Sequence, residues 1–299
     1  MAATRAQLIP FGLVISALLF ASPACAQVRA SPRGGTTQTI DGTKITIDYG
    51  RPVVRGRTNL FGGEVPWGKV WTPGANWATT IEVDKPITIN GHALPAGTYS
   101  VWLQVQPEEW TAIFDPTPRR FHLMPPPADA AGQVRFPIKP SSGTHTEVLT
   151  WSFPEVSAVG TKLQMAWGQT NVAFDIRVQP SKSLDVPAAT AQRYMGAWTV
   201  EPQGMLGNAP FTMEFTHDGT HLVGHWPDAP NPRLVQFWMV PMGPGIFAPA
   251  ELENGDLFDI VTDVLFEFNP SNGRATGFQI RGPGDVAWGA ATRARAPQT

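Results

Sequence analysis

Cysteine is all but missing from this chain. Cys25 is the only one, so no intrachain disulfide can form and stability has to come from burial. Charge is scarce as well: Asp, Glu, Lys and Arg together make up 15% of the residues. The 22 Lys and Arg against 24 Asp and Glu leave a formal net charge of -2. A chain so near neutrality has no electrostatic drive toward nucleic acid, which excludes that class of partner. Past the N-terminal residues, no apolar run approaches the roughly 20 residues of a membrane-crossing helix. Segments with helical periodicity are also wanting. With 30 Pro and 29 Gly, long helices have little room, because Pro breaks helix interiors and both residues favour turns. These absences together predict an all-β chain.

What is present begins with the N-terminus. Arg5, the apolar run from Leu8 to Ala21 and the small-x-small triplet Ala24-Cys25-Ala26 have the layout of a secretory signal peptide cleaved after Ala26. Two alternatives stay open: an uncleaved anchor, and a lipoprotein acylated on Cys25. Residues 1–26 are therefore set apart as signal peptide, and the expected location is periplasmic or secreted. Removing Arg5 leaves 21 basic against 24 acidic residues.

Residues 27–36 read as a polar lead-in. From there, short stretches alternate apolar and polar at period two, as in Lys44–Tyr49, Tyr99–Val105 and Trp110–Phe114. In the second of these, Tyr99, Val101, Leu103 and Val105 point inward and Ser100, Trp102 and Gln104 fall on the other face. Asn90-Gly91 marks a hairpin turn. Residues 116–132, with three consecutive prolines, are a loop. Strands resume at 133–138, 145–153, 161–167 and 172–178, the last two expected as an antiparallel hairpin. The expectation is a β-sandwich over 37–180, a linker at 181–193 with one helical turn near Ala188–Arg193, and a second β unit over 194–292. That unit has nine predicted strands and hairpin signals at Asp218-Gly219, Asn254-Gly255 and Asn272-Gly273. Its even spacing fits a small up-and-down β-barrel, with a frayed tail from Arg293.

The densest chemistry lies between Tyr49 and Ile81. Arg51, Arg55, Arg57, Lys69, Trp67, Trp71, Trp77 and Asn76 fall there amid Gly and Pro. Arginines can fork a carboxylate, phosphate or sulfate, tryptophans can stack on sugar rings, and Asn76 can hydrogen-bond a hydroxyl. The candidate ligand-binding set is Arg51, Arg55, Arg57, Lys69, Trp71 and Asn76. The opposing reading has the tryptophans plug a sandwich end while the arginines pair with Asp48, Glu64 or Glu82.

Other chemistry is poorly supported. Gly-x-Ser-x-Gly, Ser-x-x-Lys and Lys-Thr-Gly motifs are missing. His217, His221 and His225 are spaced by four, but a two-residue turn at Asp218-Gly219 would pair 217 with 220 and send His217 and His221 to opposite faces. No metal site is read from them. Glu64, Glu108, Glu109, Asp115 and Asp175 supply carboxylates with no spacing that marks an acid/base pair. No cofactor is implied. In the barrel, Phe211, Met213, Phe215, Trp226, Phe237, Met239, Phe247, Phe258, Phe266 and Phe268 either line a small apolar ligand site or fill the interior themselves.

The ordered blocks YGRP, RGR, FGGEVPWGKVWTPGANWATT, LPAGTYSVW and EWTAIFD are similar to the bacterial domain of unknown function 2911, over about residues 37–180. That resemblance implies a secreted or periplasmic β-rich domain and no particular activity. The family commonly has Glu where this chain has Trp77, so a role needing a carboxylate there is not carried over. YMGAW at 194–198, FTHDGTHLVG and VLFEFNPSNGRATGFQIRG resemble, more weakly, the lipocalin-like accessory β-domain appended to secreted serine hydrolases of the β-lactamase type. The resemblance transfers no catalytic residue. Three functional readings follow. The first is a non-catalytic extracytoplasmic binding module for a glycan, an envelope component or a small ligand. The second is a hydrolase of an envelope or dietary polymer with an unrecognised active site, and the third a structural or partner-binding protein.

Overall fold

The computed structural model describes residues 29–269 and 273–294. The expected signal peptide, with Cys25, and Asn272 of the Asn272-Gly273 turn lie outside the described residues. No helix among the described residues is long and apolar enough to cross a membrane.

Eleven strands come first: β1 (Arg33–Ile40), β2 (Thr43–Gly50), β3 (Val70–Trp71), β4 (Thr79–Val83), β5 (Ile87–Ile89), β6 (His92–Leu94), β7 (Gly97–Gln104), β8 (Trp110–Asp115), β9 (Val134–Ile138), β10 (Ser141–Ser157) and β11 (Gly160–Val178). One sheet has the order β1-β2-β4-β7-β8-β9, with β3 added beside β7, and a second has the order β10-β11-β5-β6. They face each other as a sandwich. Ile45, Ile47, Val101, Leu103, Ala112 and Phe114 from the first sheet share a core with Ile89, Leu149, Leu163, Met165, Phe174 and Ile176 from the second. Period-two alternation puts each of these on the inner face.

Five departures from the sequence expectations have physical causes. The polar lead-in is partly a strand: β1 pairs along all of β2 through an Asp41-Gly42 turn with φ of 43° and 70°. Its residues alternate exposed and half-buried, so an edge strand with little to bury carries no hydrophobic signal. The expected hairpin 161–167/172–178 is one strand, β11. Gly168 (φ 60°) kinks β11 opposite Thr146, and on either side of that pair the register shifts, with the extra residues taken up by β10. Buried residues accordingly switch from odd positions (Leu163, Met165, Trp167) to even ones (Val172, Phe174, Ile176). Trp102 and Ser100 lie on the other face from the sandwich core, as expected, yet are wholly buried. Residues 116–132 fold back over that face, where Trp102 packs with Ala78 and Ile113 and the Ser100 hydroxyl donates to Thr117 O at 2.8 Å.

The fourth departure concerns the chain end. Strands β12 (Gly196–Pro202), β13 (Phe211–His217), β14 (Leu222–His225), β15 (Gln236–Gly243), β16 (Ile246–Glu253), β17 (Asp256–Ile260), β18 (Leu265–Phe268), β19 (Gly277–Gly282) and β20 (Val286–Arg293) follow. Eight of them close an antiparallel barrel, in the order β15-β14-β13-β12-β20-β19-β18-β16, with β16 returning to β15. β17 stays outside the ring and pairs with β16 from Ala250 onward, while β18 pairs with Ile246 and Phe247. Arg293 is not frayed. Its guanidinium donates to Ala275 O (2.6 Å), Met195 O (2.8 Å) and Arg193 O (2.9 Å) and lies over the Trp198 ring at 4.2 Å.

The segment before the barrel carries α1 (Ala188–Ala191) and is docked, with Val186 and Ala191 buried in the barrel core. The Asp218-Gly219 turn also differs from expectation. His217 pairs with Leu222, so residues 218–221 form a four-residue loop. His217 Nε2 bonds Val186 O at 2.8 Å. His221 sits in the loop, 3.0 Å from Asp218 Oδ2 and stacked on Trp238 at 3.9 Å.

Candidate functional sites in the sandwich and the barrel

The arginine-rich segment begins as an edge cover. β10 is the outer strand of its sheet, and a bare strand edge is a pairing hazard. Residues 52–54 lie along it: Leu149 N–H donates to Pro52 O (2.9 Å) and Val54 N–H to Glu147 O (2.8 Å). Arg51 seals the same edge, reaching Thr150 Oγ1 at 3.3 Å. Arg55 turns the chain at φ 51°, and its N–H donates to Glu147 Oε1 at 2.9 Å. Arg57 is closed on its own neighbourhood. Nε donates to Val54 O (2.9 Å), one terminal nitrogen to Val53 O (2.6 Å), and the other pairs with Glu64 at 2.7 Å. Its cation lies 5.3 Å from the centre of the Trp167 ring.

Below this turn the sandwich end is plugged by aromatic rings. Phe61 meets Trp110 at 4.7 Å and Trp71 at 5.5 Å, and Trp71 stacks on Trp167 at 5.8 Å. Trp71 is thus a half-buried packing element. Lys69 is exposed. Asn76 adopts φ 66° and its carbonyl accepts His122 N–H at 2.8 Å. Burial, with the Lys69 charge adding to it, pushes the His122 imidazole below its usual pKa. Trp77 packs edge-on against Phe121 at 5.6 Å, beneath the Arg119 cation at 4.8 Å. It fastens the 116–132 cover at the position where the resembled family commonly has a carboxylate.

The six sequence candidates do not converge on one concave surface. A cleft of about 630 Å³ opens instead between residues 54–61, Trp67, residues 145–147 and the β11 kink at Gly168. Of the six, Arg57 stands on its wall. The other lining side chains include Asn59, Trp67, His145, Glu147, Gln169 and Thr170. Trp67 is 45% exposed. It is held against Gly62, where a Cβ would fall 2.6 Å from the indole. Glu147 is held as an anion below the usual carboxylate range, first by its bond with His145 (3.0 Å) and then by the Arg55 N–H. Asn59, Gln169 and Thr170 have ordinary sequence surroundings. Only the kink at Gly168, unreadable as such in the sequence, brings β11 to the 57–61 turn.

In the barrel, one end is filled by Trp198, Phe215, Phe268 and Phe278, with ring centres 4.8–5.8 Å apart. Elsewhere a cavity of about 220 Å³ remains, lined almost wholly by apolar atoms. Met213, Phe237, Phe266 and Ile280 contribute from the ring strands, and Pro249, Val261 and Val264 from the fork where β17 leaves the ring. Trp226, Trp288, Leu206, Leu234 and Glu251, whose carboxylate is bonded by the Asn231 amide at 2.6 Å, complete the wall. The Trp226 indole N–H is buried and has no hydrogen-bond partner among the described residues.

The carboxylates noted in the sequence are divided by this fold. Asp115 is buried in a structural network (Arg120 Nε 3.1 Å, Gln133 Nε2 2.7 Å, Thr117 N 2.9 Å). Glu64 neutralises Arg57. Neither Asp115 nor Asp175 lines the sandwich cleft.

No curated protein and no solved structure matches the chain at a significant level. Residues 31–176, the part that builds the sandwich, match the model of a family described as protein of unknown function (DUF2911).

Proposed function

We propose that this is an extracytoplasmic, non-catalytic binding protein whose barrel holds a small apolar molecule. The observation that carries the reading is the apolar cavity of about 220 Å³ beside the unpartnered Trp226 N–H. Apolar cavities of roughly 150 Å³ stay dry and take up benzene, so this one suits a molecule near naphthalene in size. A buried donor left unpaired costs about 1–3 kcal/mol, so a ligand with one carbonyl or ether oxygen gains over a pure hydrocarbon. The extracytoplasmic part of the proposal is supported by the signal-type layout of Arg5, Leu8–Ala21 and Ala24-Cys25-Ala26. Kinship of the barrel with lipocalin-like accessory domains belongs to the same proposal. It is supported by the eight-stranded up-and-down closure and by the Gly196-Ala197-Trp198 start of β12.

The test is calorimetric titration of the chain from Gln27 with naphthalene and with 2-acetylnaphthalene. Expected dissociation constants are on the order of 10–100 µM for molecules of this atom count, with the ketone tighter. Val264→Trp fills the cavity and abolishes both signals while the melting temperature is kept. Silence from the unaltered protein, or full binding by a folded Val264→Trp variant, overturns the proposal. The hydrolase reading has one favouring observation, the His145–Glu147 pair in the sandwich cleft. Both side chains are about half exposed to solvent, outside the buried setting in which a general acid or base is usually found.

A further inference from the structure

The sandwich cleft has an unusual charge balance for a segment so rich in arginine. Each ionic group on its wall is already answered from within the protein. Arg57 is taken by two carbonyls and Glu64, and Glu147 by His145 and the Arg55 N–H. A guanidinium already committed to two carbonyls and a carboxylate offers no fork to an incoming anion. What the wall leaves over is neutral. The side-chain amides of Asn59 and Gln169 and the Thr170 hydroxyl make no hydrogen bond to any described residue, and all three line the cleft. Beside them stands Trp67, 45% exposed and backed by Gly62.

An exposed, backed indole next to uncommitted amides and a hydroxyl is complementary to a molecule with apolar C–H faces and many neutral hydroxyls. The ring face takes the C–H surface, and amide groups donate and accept at once, as hydroxyl pairs require. The apolar floor of Val54, Leu60 and Phe61 excludes water beneath. We infer that this cleft binds a neutral saccharide, with Trp67 as the stacking platform and Asn59, Gln169 and Thr170 as the hydroxyl contacts. At about 630 Å³ it has room for roughly two to three sugar rings, within the usual size of a ligand pocket. This site is separate from the barrel cavity and takes a different ligand class.

The experiment is calorimetric titration of the chain from Gln27 with cellohexaose, maltohexaose, xylohexaose and N-acetylchitohexaose, and with the anionic hexagalacturonate. At least one neutral chain is expected to bind with a sub-millimolar constant, and hexagalacturonate no more tightly than that. Trp67→Ala weakens binding at least tenfold, and Asn59→Ala or Gln169→Ala about threefold to tenfold each, with unchanged melting temperatures. Gln169→Ala keeps the test decisive should loss of the indole disturb the 57–68 turn. No binding of any neutral oligosaccharide at millimolar concentration overturns the inference. So does tighter binding of the uronate, or binding indifferent to both variants. Saccharide binding persists in Val264→Trp and naphthalene binding in Trp67→Ala, so the two sites fail independently.

Discussion

Asp115 shows how one side chain can hold a whole cover in place. Its carboxylate is 1% exposed. Burial opposes its ionisation, but hydrogen bonds from Gln133, Thr117 and Arg120 and the Arg120 charge override this and lower its pKa. Those three partners stand at both ends of the 116–133 segment. Removing one member of a buried ion pair typically costs about 3–5 kcal/mol, so Asp115→Ala is expected to lose about that much in urea unfolding and to expose Trp102 to a quencher. Arg293 is the counterpart in the barrel, closing three carbonyls across Trp198. Arg293→Ala leaves the Ala275 carbonyl without its donor, while Arg193 O keeps the Ala275 N–H and Met195 O keeps Arg274, and is expected to cost about 1–3 kcal/mol, read from the barrel's thermal transition. Asp218 gives a pH signature. Burial again opposes its charge, yet the His221 and Thr220 N–H groups and the His221 ring bring its pKa down to about 2. The stability it contributes is present above pH 4 and lost as pH falls from about 4 through 2. Solvent screening at this half-exposed loop limits it to about 1 kcal/mol. Urea midpoints measured between pH 6 and 2 should fall less steeply for Asp218→Asn.

At the scale of elements, the irregular β10–β11 pairing at Gly168 separates what could be read in the sequence from what could not. Asn90-Gly91 and Asn254-Gly255 announced their hairpins because those turns need positive φ at both central positions, and each has it. The Leu163–Val178 stretch misled because Gly168-Gln169-Thr170-Asn171 has turn composition. Its parity switch is equally consistent with a hairpin or a kinked strand, and only the partner strand decides. β1 went partly unread because its face is polar, and Trp102 because a loop distant in sequence covers it. The site was legible in part for the same reason. Tyr49–Ile81 supplies one wall of the sandwich cleft, and Trp67 stood out by residue type. That Arg57 is closed on Glu64, and that Gln169 arrives from β11, follow from topology alone. Gly168→Ala tests the kink. Its φ of 60° disfavours a Cβ, which would also fall 2.6 Å from Leu60 Cδ1. A loss of about 1–2 kcal/mol is expected in equilibrium unfolding, together with weaker saccharide binding.

At the scale of the whole molecule there are two cores and a narrow apolar joint. The sandwich core and the barrel core are separate clusters. Between them Ala158 and Val159, at the tip of the β10–β11 hairpin, pack on Val240, Ala250 and Leu257 of the barrel's outer wall. Val159→Asp places a charge in that joint. Scanning calorimetry is then expected to show the sandwich and barrel transitions further apart than in the unaltered chain, with the saccharide and naphthalene affinities unchanged. The cover formed by residues 116–132 has a consequence for proteolysis. Its large apolar residues Leu123 and Met124 are 66% and 64% accessible, so a protease specific for such residues should cut there first. The strand before the cut stays fixed by Arg120 on Asp115 and by the Trp77–Phe121 contact. The strand after it stays fixed by Gln133 on Asp115 and by β9 in its sheet. The nicked protein therefore should travel as a single particle in gel filtration and come apart into two pieces only in denaturant.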